Sequence, residues 1–238
     1  MDLAVAVAAV VTGATLQRST GLGFALVSGP FLVLVLSPYE GVALANLLSL
    51  LTACLVLAAT WRTVDLRTAV LLSAGVALAI APGAALARAL PDPALLVVVG
   101  GLATAAALLV AAGFRIPGLA RPAGSLAAGF ASGFSNVTAG VGGPALAVYG
   151  ASTRQPHTSF VPTVQVVGIV ANALSLVAKH DAHLPGTLVL GCVAAVLAGT
   201  LAGRWTSRLV SERAGRTLVL ALAVAGGLVS VVKGVLTW

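Results

Sequence analysis

A short polar interruption in the first apolar segment contains the one charged side chain that lies within a hydrophobic run. It reads Gln17-Arg18-Ser19-Thr20-Gly21-Leu22-Gly23, and the segment around it extends over residues 3–36. An ionisable side chain at such a depth indicates a functional site by default. A guanidinium stays protonated and fits two oxygens of one carboxylate, sulfonate or sulfite, so Arg18 predicts an oxyanion ligand. The alternative is that Arg18 extends to the membrane surface.

A second interruption divides the apolar segment 123–149. It reads Ser132-Gly133-Phe134-Ser135-Asn136-Val137-Thr138-Ala139-Gly140-Val141-Gly142-Gly143-Pro144. After each interruption a short helix is expected to begin near the middle of the membrane, where its unpaired N–H groups and its dipole attract an anion. Pro144 suits the first turn of such a helix, and the glycines allow a ligand to approach the backbone closely. Close packing between helices is the other explanation for these glycines.

The two interruptions belong to an internal repeat. At an offset of 119 residues, Gly21, Gly23 and Asn46 match Gly140, Gly142 and Gln165; at an offset of 116, Gly83 and Arg88 match Gly199 and Arg204. The chain therefore divides into halves at about 1–118 and 119–238. Interrupted hydrophobic segments at corresponding places in two halves are typical of the binding sites of secondary transporters.

These patterns predict one binding site for a small anion, shared by both interruptions. The candidate substrate-binding residues are Gln17, Arg18, Ser19, Thr20, Gly21, Gly23, Asn46, Ser135, Asn136, Thr138, Gly140, Gly142, Gly143 and Gln165. Asn46 and Gln165 are included because they occupy equivalent positions of the repeat. Hydrogen bonding between helices explains them equally well.

Other reactive side chains do not indicate a catalytic, metal or cofactor site. The histidines His157, His180 and His183 lie near predicted loops, and His180-Asp181-Ala182-His183 is interpreted as an exposed cluster rather than a metal clip. Cys54 and Cys192 each fall inside an apolar run, where small buried hydrophobes are expected.

An intramembrane protease is the enzyme class that this sequence most nearly suggests. The segment Phe130-Ala131-Ser132-Gly133 is similar to the serine motif of rhomboid proteases, but position 130 is not glycine. No histidine lies within a predicted membrane helix to serve as the base that a nucleophilic serine needs. The sequence therefore predicts a protein that is not an enzyme.

The composition indicates an integral membrane protein. Of 238 residues, 59% are hydrophobic and 8% are charged, whereas a soluble domain carries about 25% charged residues. The net charge of +7 does not indicate nucleic acid, because the arginines lie singly at the ends of apolar runs. The expected partners are a small anion and the lipid bilayer, and a homo-oligomer is left open. The N-terminus lacks the basic region of a cleavable signal peptide, so the first segment is expected to remain in the mature protein.

Six apolar runs predict membrane-spanning helices, at 41–60, 67–87, 93–112, 159–178, 185–203 and 215–236. If each interrupted segment also spans once, six basic residues lie on either side. If each is a re-entrant hairpin, nine basic residues share one side (Arg62, Arg67, Arg115, Arg121, Arg154, Arg204, Arg208, Arg213 and Arg216), and only Arg88, Lys179 and Lys233 lie opposite. The positive-inside rule favours the hairpins, with the linker 113–122 inside the cell and both termini outside.

The predicted architecture is therefore an all-α protein of the cell membrane, built from two repeats. Each repeat contains a hairpin, at 3–36 or 123–149, followed by three membrane-spanning helices. Because three is an odd number, the second repeat is predicted to be inverted relative to the first, as in many secondary transporters.

The paired halves, the segment Thr20-Gly21-Leu22-Gly23 and its counterpart Ser132–Pro144 resemble the TauE/SafE family of sulfite and organosulfonate exporters. The resemblance covers essentially the whole chain and is more specific at the second interruption. The first departs from the fuller glycine run expected of the family, because Phe24 and Ala25 follow Gly23. The resemblance implies a transporter for small sulfur oxyanions or other small anions, including carboxylates.

The distribution of acidic residues bears on how such transport is driven. All six (Asp2, Glu40, Asp65, Asp92, Asp181 and Glu212) lie at predicted helix ends or in loops, so no buried carboxylate is expected to carry a proton. Membrane voltage favours outward movement of an anion, which predicts export by alternating access. The alternatives are a carrier or channel for another small solute or a metal ion, for which soft ligands are scarce, and a membrane scaffold without transport activity.

Overall fold

The computed structural model describes the backbone of residues 2–20, 24–206 and 212–238, and the side chains of residues 4–17, 24–205 and 214–238. Every regular element in these ranges is helical, and no strand occurs in them. This confirms the predicted all-α class. It is also what a lipid environment requires, because a helix satisfies its own backbone hydrogen bonds.

Ten α-helices lie within the described ranges, with a single 3-10 turn after the third. They are α1 (Asp2–Thr20), α2 (Phe24–Val35), α3 (Pro38–Thr60), the 3-10 turn (Trp61–Thr63), α4 (Leu66–Ala89), α5 (Asp92–Ala111), α6 (Pro122–Ala139), α7 (Gly143–Thr153), α8 (His157–Ala178), α9 (Gly186–Thr206) and α10 (Glu212–Leu236). Two successive groups, α1–α5 and α6–α10, therefore share one order: two shorter helices, then three long ones.

Six helices are long and apolar enough to cross a membrane, namely α3, α4, α5, α8, α9 and α10. Several of their large apolar side chains face outward, including Leu78, Val177 and Leu190. Such a surface suits lipid and not water. The chain is therefore a multi-pass membrane protein.

The shorter helices form two hairpins. In the first, the Ser28 hydroxyl of α2 donates to the Ala9 carbonyl of α1 over 3.1 Å. In the second, the hydroxyls of Ser125 and Tyr149 lie 3.0 Å apart near the outer ends of α6 and α7. Each pair of helices thus doubles back on itself.

A left-handed glycine makes the turn of the second hairpin. Gly140 has a φ of 73°, its N–H bonds to the Asn136 carbonyl over 2.8 Å, and the N–H of Val141 bonds to the Ser135 carbonyl over 3.3 Å. This is a left-handed (αL) helix ending, which strongly favours glycine because a side chain is strained at positive φ. It stops α6 in the interior of the protein and allows α7 to start there.

Helices at the same place in the two groups, α1–α5 and α6–α10, pack antiparallel. The Lys179 ammonium, after the end of α8, lies 4.3 Å from the Tyr39 ring centre near the start of α3. At the other end of this pair, the Thr63 hydroxyl donates to the Thr158 carbonyl over 2.8 Å. Helices α5 and α10 are also antiparallel, since Arg216 near the start of α10 donates to the carbonyl of Val110 near the end of α5 over 2.7 Å.

The two hairpins open toward opposite ends of this helix bundle. The linker before α6 meets the end of α7 where the N–H of Ile116 bonds to the Ser152 hydroxyl over 2.9 Å. The end of α2 lies at the opposite end, where the Lys233 ammonium donates to the Leu34 carbonyl over 3.0 Å. The end of the bundle near Leu34 carries Arg88, Lys179 and Lys233. The end near Ile116 carries the other basic residues with described side chains: Arg62, Arg67, Arg115, Arg121, Arg154, Arg204 and Arg216. Arg208 and the side chain of Arg213 are outside the described residues.

The two cysteines differ in their surroundings. Cys192 is buried, as predicted, but the prediction was wrong for Cys54, which is exposed on α3. An apolar sequence does not distinguish the two environments, because lipid is as hydrophobic as a protein interior.

Close contact between α4 and α6 depends on glycine. A methyl group at Gly129 would overlap the Leu72 carbonyl oxygen, whereas a methyl group at Gly101 on α5 would meet nothing within 4 Å. We therefore expect Gly129→Ala to destabilise the protein by about 1–3 kcal/mol through overpacking. Gly101→Ala should instead stabilise its helix by about 0.5–1 kcal/mol. Thermal unfolding in detergent followed by circular dichroism measures both, and equal stability of the two variants would contradict the prediction.

Candidate functional site

A cavity of about 120 Å³ lies where the two hairpins meet α3 and α8. Its lining comprises Gln17, Phe24, Ala25, Ser49, Thr52, Ala53, Ser132, Asn136, Gly142, Gly143, Leu146, Ala147, Phe160, Val164, Gln165, Gly168, Ala171 and Asn172. A single water needs about 10–15 Å³ on this scale, so an anion of four or five heavy atoms fits. No charged side chain is among these described lining residues.

The N-termini of both short second helices border this cavity. Phe24 and Ala25 open α2, and Gly142 and Gly143 precede and open α7. No side chain caps the start of α7, and a methyl group at Gly143 would meet nothing within 4 Å. The first N–H groups of a helix lack partners within the helix, and its dipole is positive there. Two such ends make the cavity favourable for negative charge.

Helices α3 and α8 contribute equivalent positions to the cavity wall. Ser49, Thr52 and Ala53 line it from α3, and Gly168, Ala171 and Asn172 line it from α8. Each residue of the first set lies 119 positions before one of the second, which is the offset of the predicted internal repeat. The spacing of three and four residues keeps each set on a single helix face.

Hydrogen bonds hold part of the polar wall in place. The Asn136 amide donates to the Asn172 side-chain oxygen over 3.1 Å and to the Ser175 hydroxyl over 3.2 Å. The Ser132 hydroxyl donates to the Gly142 carbonyl over 2.9 Å, which joins α6 to the start of α7. Three elements are thereby tied together at the cavity.

Two other lining atoms have no hydrogen-bond partner among the described residues. They are the side-chain oxygen of Gln17 and the hydroxyl of Ser49, and both are buried. A buried polar group without a partner costs about 1–3 kcal/mol. A polar ligand or water in the cavity would recover this cost, since the serine hydroxyl can donate and the glutamine amide can rotate to present its NH₂ group.

The cavity brings together five of the candidate substrate-binding residues, namely Gln17, Asn136, Gly142, Gly143 and Gln165. Four others, Asn46, Ser135, Thr138 and Gly140, lie outside its lining. Both amide atoms of Asn46 are buried without a partner beside Gly140, the Ser135 hydroxyl bonds to the Ala131 carbonyl of its own helix, and the Thr138 hydroxyl bonds to Gly83. The remaining candidates are outside the described residues: the side chains of Arg18, Ser19 and Thr20, and Gly21 and Gly23 entirely.

The sequence set omits several polar residues that line the cavity, namely Ser49, Thr52, Ser132 and Asn172. A signal for all four was present. Steps of three and four residues from Gln165 lead to Gly168, Ala171 and Asn172, and subtracting the repeat offset from 168 and 171 gives Ser49 and Thr52. Ser132 lies one helical turn before Asn136, which was among the candidates.

A second polar cluster lies near the end of the bundle at which α8 finishes. The Tyr39 hydroxyl donates to the Asp181 carboxylate over 2.8 Å. The Arg88 guanidinium lies 3.7 Å from the same carboxylate and also donates to the Ala178 carbonyl. The hydrogen bond from Tyr39 is the main reason why the pKa of Asp181 is below its usual range. Burial lowers the pKa of Lys179 to about 7.

At the opposite end, Asp65 caps α4. Its carboxylate accepts from the Thr68 hydroxyl over 2.6 Å and from the Thr68 N–H over 3.2 Å. The hydroxyl bond is the main cause of the lowered pKa of Asp65. Among the described residues, no group of three or more His, Cys, Asp or Glu side chains is placed to hold a metal ion.

Comparison with known proteins gives one match. The family described as sulfite exporter TauE/SafE matches residues 5–230, which is nearly the whole chain. No curated protein and no solved structure matches this chain.

Proposed function

Because the chain belongs to the TauE/SafE sulfite exporter family, and is therefore a membrane transporter of sulfur anions and not an enzyme, we propose that it exports sulfite, sulfonates or related small oxyanions by alternating access. The proposed site is the central cavity between the hairpins. The observation that carries this proposal is that the N-termini of α2 and α7 both border that cavity.

The chemistry of the cavity suits an anion that is held and then released. Its described lining offers neutral donors and two helix N-termini, and a helix N-terminus stabilises negative charge by about 0.3–1 kcal/mol or more when partly buried. Arg18, one residue after the cavity-lining Gln17, is proposed to supply the permanent positive charge. Moderate attraction of this kind favours turnover, because a substrate that binds very tightly is slow to leave.

Alternating access is proposed to arise from two inverted repeats. The antiparallel packing of α3 with α8 and of α5 with α10 supports this, since helices related by an inversion must cross the membrane in opposite directions. So does a pair of contacts between the halves: Thr15 donates to the Gly199 carbonyl over 3.1 Å, and Thr138 donates to the carbonyl of Gly83, the repeat equivalent of Gly199, over 3.4 Å. One repeat would rock against the other around the cavity.

Membrane voltage can drive this export without a coupling ion. Moving one negative charge out of a cell whose interior is negative gains about 2.3 kcal/mol per 100 mV. Since 1.4 kcal/mol corresponds to about tenfold, this sustains a gradient of roughly fiftyfold. No acidic residue lies within a described helix away from its first turn, which agrees with uncoupled movement.

Flux through proteoliposomes at a clamped membrane potential tests the proposal. We expect efflux of sulfite and of methanesulfonate, with a rate that rises as the compartment losing the anion is made more negative. Liposomes without protein and a neutral solute of similar size are the controls. Absence of flux from folded protein, or a strict requirement for sodium or a proton gradient, would contradict voltage-driven anion export.

The proposed orientation is tested by cysteine accessibility in a background that lacks Cys54 and Cys192. His183 and Arg115 are both exposed and lie in loops at opposite ends of the bundle. We expect His183→Cys to react with an impermeant maleimide added to intact cells, and Arg115→Cys to react only after permeabilisation. Labelling of Arg115→Cys in intact cells would place the linker outside and overturn the orientation.

A further inference from the structure

Lys179 is a buried cation without a hydrogen-bond partner. Its side chain is 2% exposed, and its ammonium nitrogen has no partner among the described residues. Its close neighbour is the face of the Tyr39 ring, at 4.3 Å from the ring centre. An aromatic face attracts a cation but offers no oxygen or nitrogen acceptor, so the ammonium has no conventional hydrogen-bond acceptor among the described residues.

The groups around Lys179 leave an excess of positive charge. Arg88, from α4, raises the local positive potential, and Asp181 is the only carboxylate that the structure shows beside the two cations. That carboxylate is already bound by the Tyr39 hydroxyl and lies within 3.7 Å of Arg88. His180 adjoins the cluster in sequence, but its ring nitrogen approaches the Val177 carbonyl at 3.3 Å. The cluster therefore lacks one negative charge.

The helix face that carries Lys179 is the one that lines the central cavity. Gln165, Gly168 and Asn172 line the cavity from α8, Ser175 bonds to Asn136 of the cavity wall, and Lys179 follows Ser175 by four residues. This alternation of three and four residues places them in one row along α8. The row leads from the cavity to the end of the bundle at which Lys179 lies.

We propose that Lys179 and Arg88 form a second anion subsite at that end of the transport pathway, which receives a small sulfonate or sulfite from the central cavity before its release. The anion class is taken from the proposed function, but the subsite is separate from the central cavity. The anion would accept from the free Lys179 ammonium and compensate the charge that Asp181 leaves unbalanced. The repeat offers no twin of this subsite, because the position 119 residues before Lys179 is Thr60.

The subsite should respond to pH through Lys179. Burial, reinforced by the nearby Arg88 guanidinium, lowers the pKa of this lysine to about 7, while Asp181 acts in the opposite direction. Below pH 7 the ammonium is charged and binds the anion, and above pH 7 the neutral amine does not. By linkage, a bound anion favours the charged form and must raise the lysine pKa.

Lysine-selective NMR tests the subsite directly, because Lys179 and Lys233 are the two lysines of the chain. Protein labelled with ¹³Cε-lysine and held in detergent micelles is titrated with pH, and Lys233→Arg assigns the remaining signal to Lys179. We expect methanesulfonate, which stays charged over this range, to raise the Lys179 pKa by about one unit, corresponding to about tenfold preference for the protonated form. Lys233 in the same sample is the control for ionic strength.

A Lys179 pKa that methanesulfonate leaves unchanged, or shifts no more than that of Lys233, would overturn the subsite. Flux supplies the second measurement. Lys179→Arg keeps a charge that does not titrate, so we expect flux without the loss above pH 7, whereas Lys179→Gln should lower flux below pH 7 to the level that the wild type shows above it. A Lys179→Gln variant with the wild-type pH profile would also overturn the subsite. A pKa shift in a protein without flux would refute the transport proposal alone, and flux without a pKa shift would refute the subsite alone.

Discussion

Replacing Gly168 by leucine is expected to abolish anion flux while leaving the protein folded. Gly168 lines the central cavity, and the nearest atom to an added Cβ would be the Ala53 Cβ at 4.0 Å. A leucine side chain can therefore enter the cavity without displacing the backbone. Because the cavity measures about 120 Å³, the same volume cannot hold both that side chain and an anion with its contacts.

Gly101→Leu is the matched control for this prediction. Gly101 also lies in a long helix with nothing within 4 Å of an added Cβ, but it does not line the cavity. We expect Gly168→Leu to lower sulfite or methanesulfonate flux by at least about tenfold, equivalent to about 1.4 kcal/mol, and Gly101→Leu to retain it. Both variants should unfold near the wild-type temperature. Unchanged flux in folded Gly168→Leu would show that the anion passes elsewhere.

The main features of the architecture follow from patterns that lipid imposes on a sequence. Long apolar runs must be helical because exposed backbone polar groups are too costly in lipid. The breaks at 17–23 and 132–144 were visible because glycine and polar residues interrupt such runs. Gly140 illustrates the physical cause, since its positive φ ends α6 in the interior. The halves and their inversion remain predictions that the antiparallel helix pairs support.

The candidate site was only partly accessible to sequence reasoning. Gln17 and Asn136 were selected because they are polar residues of the two interruptions, and Gln165 because of its position in the repeat; the cavity brings all three together. Asn46, which occupies the repeat position equivalent to Gln165, lies outside the lining. It is on the same face of α3 as Ser49 but one turn nearer the start of the helix, where its amide is buried beside Gly140. Which turn of a helix borders a cavity depends on how the neighbouring elements pack against it, and a uniformly apolar sequence carries little information about that packing.

Lys179 illustrates a different limit of prediction from the sequence. The sequence places it just after an apolar run, where a lysine is expected to extend to the membrane surface. The structure buries it instead, because Tyr39 of α3 and Arg88 of α4 meet the end of α8 there. Those residues are about 90–140 positions away in the sequence, so only the tertiary structure brings them into contact with Lys179.

Replacing Arg18 is the second change that we expect to reduce anion flux strongly. The cavity holds no charged side chain among its described lining residues, and helix N-termini and neutral donors alone stabilise an anion weakly. Arg18 lies beside Gln17 on α1, so we expect its guanidinium to supply the missing charge. A hydrogen bond to a charged group contributes about 1.5–3 kcal/mol, so Arg18→Gln should reduce anion flux by about 10- to 100-fold.

Two further variants separate charge from geometry at this position. Arg18→Lys keeps the charge but loses the two-pronged contact, so we expect flux between those of the wild type and Arg18→Gln. Arg62→Gln removes an arginine that stacks over Trp61 at 5.7 Å, outside the cavity, and should retain flux. Flux and stability are measured together at clamped potential. Wild-type flux in folded Arg18→Gln would assign Arg18 a structural role, and the two helix N-termini would then have to bind the anion without a permanent charge.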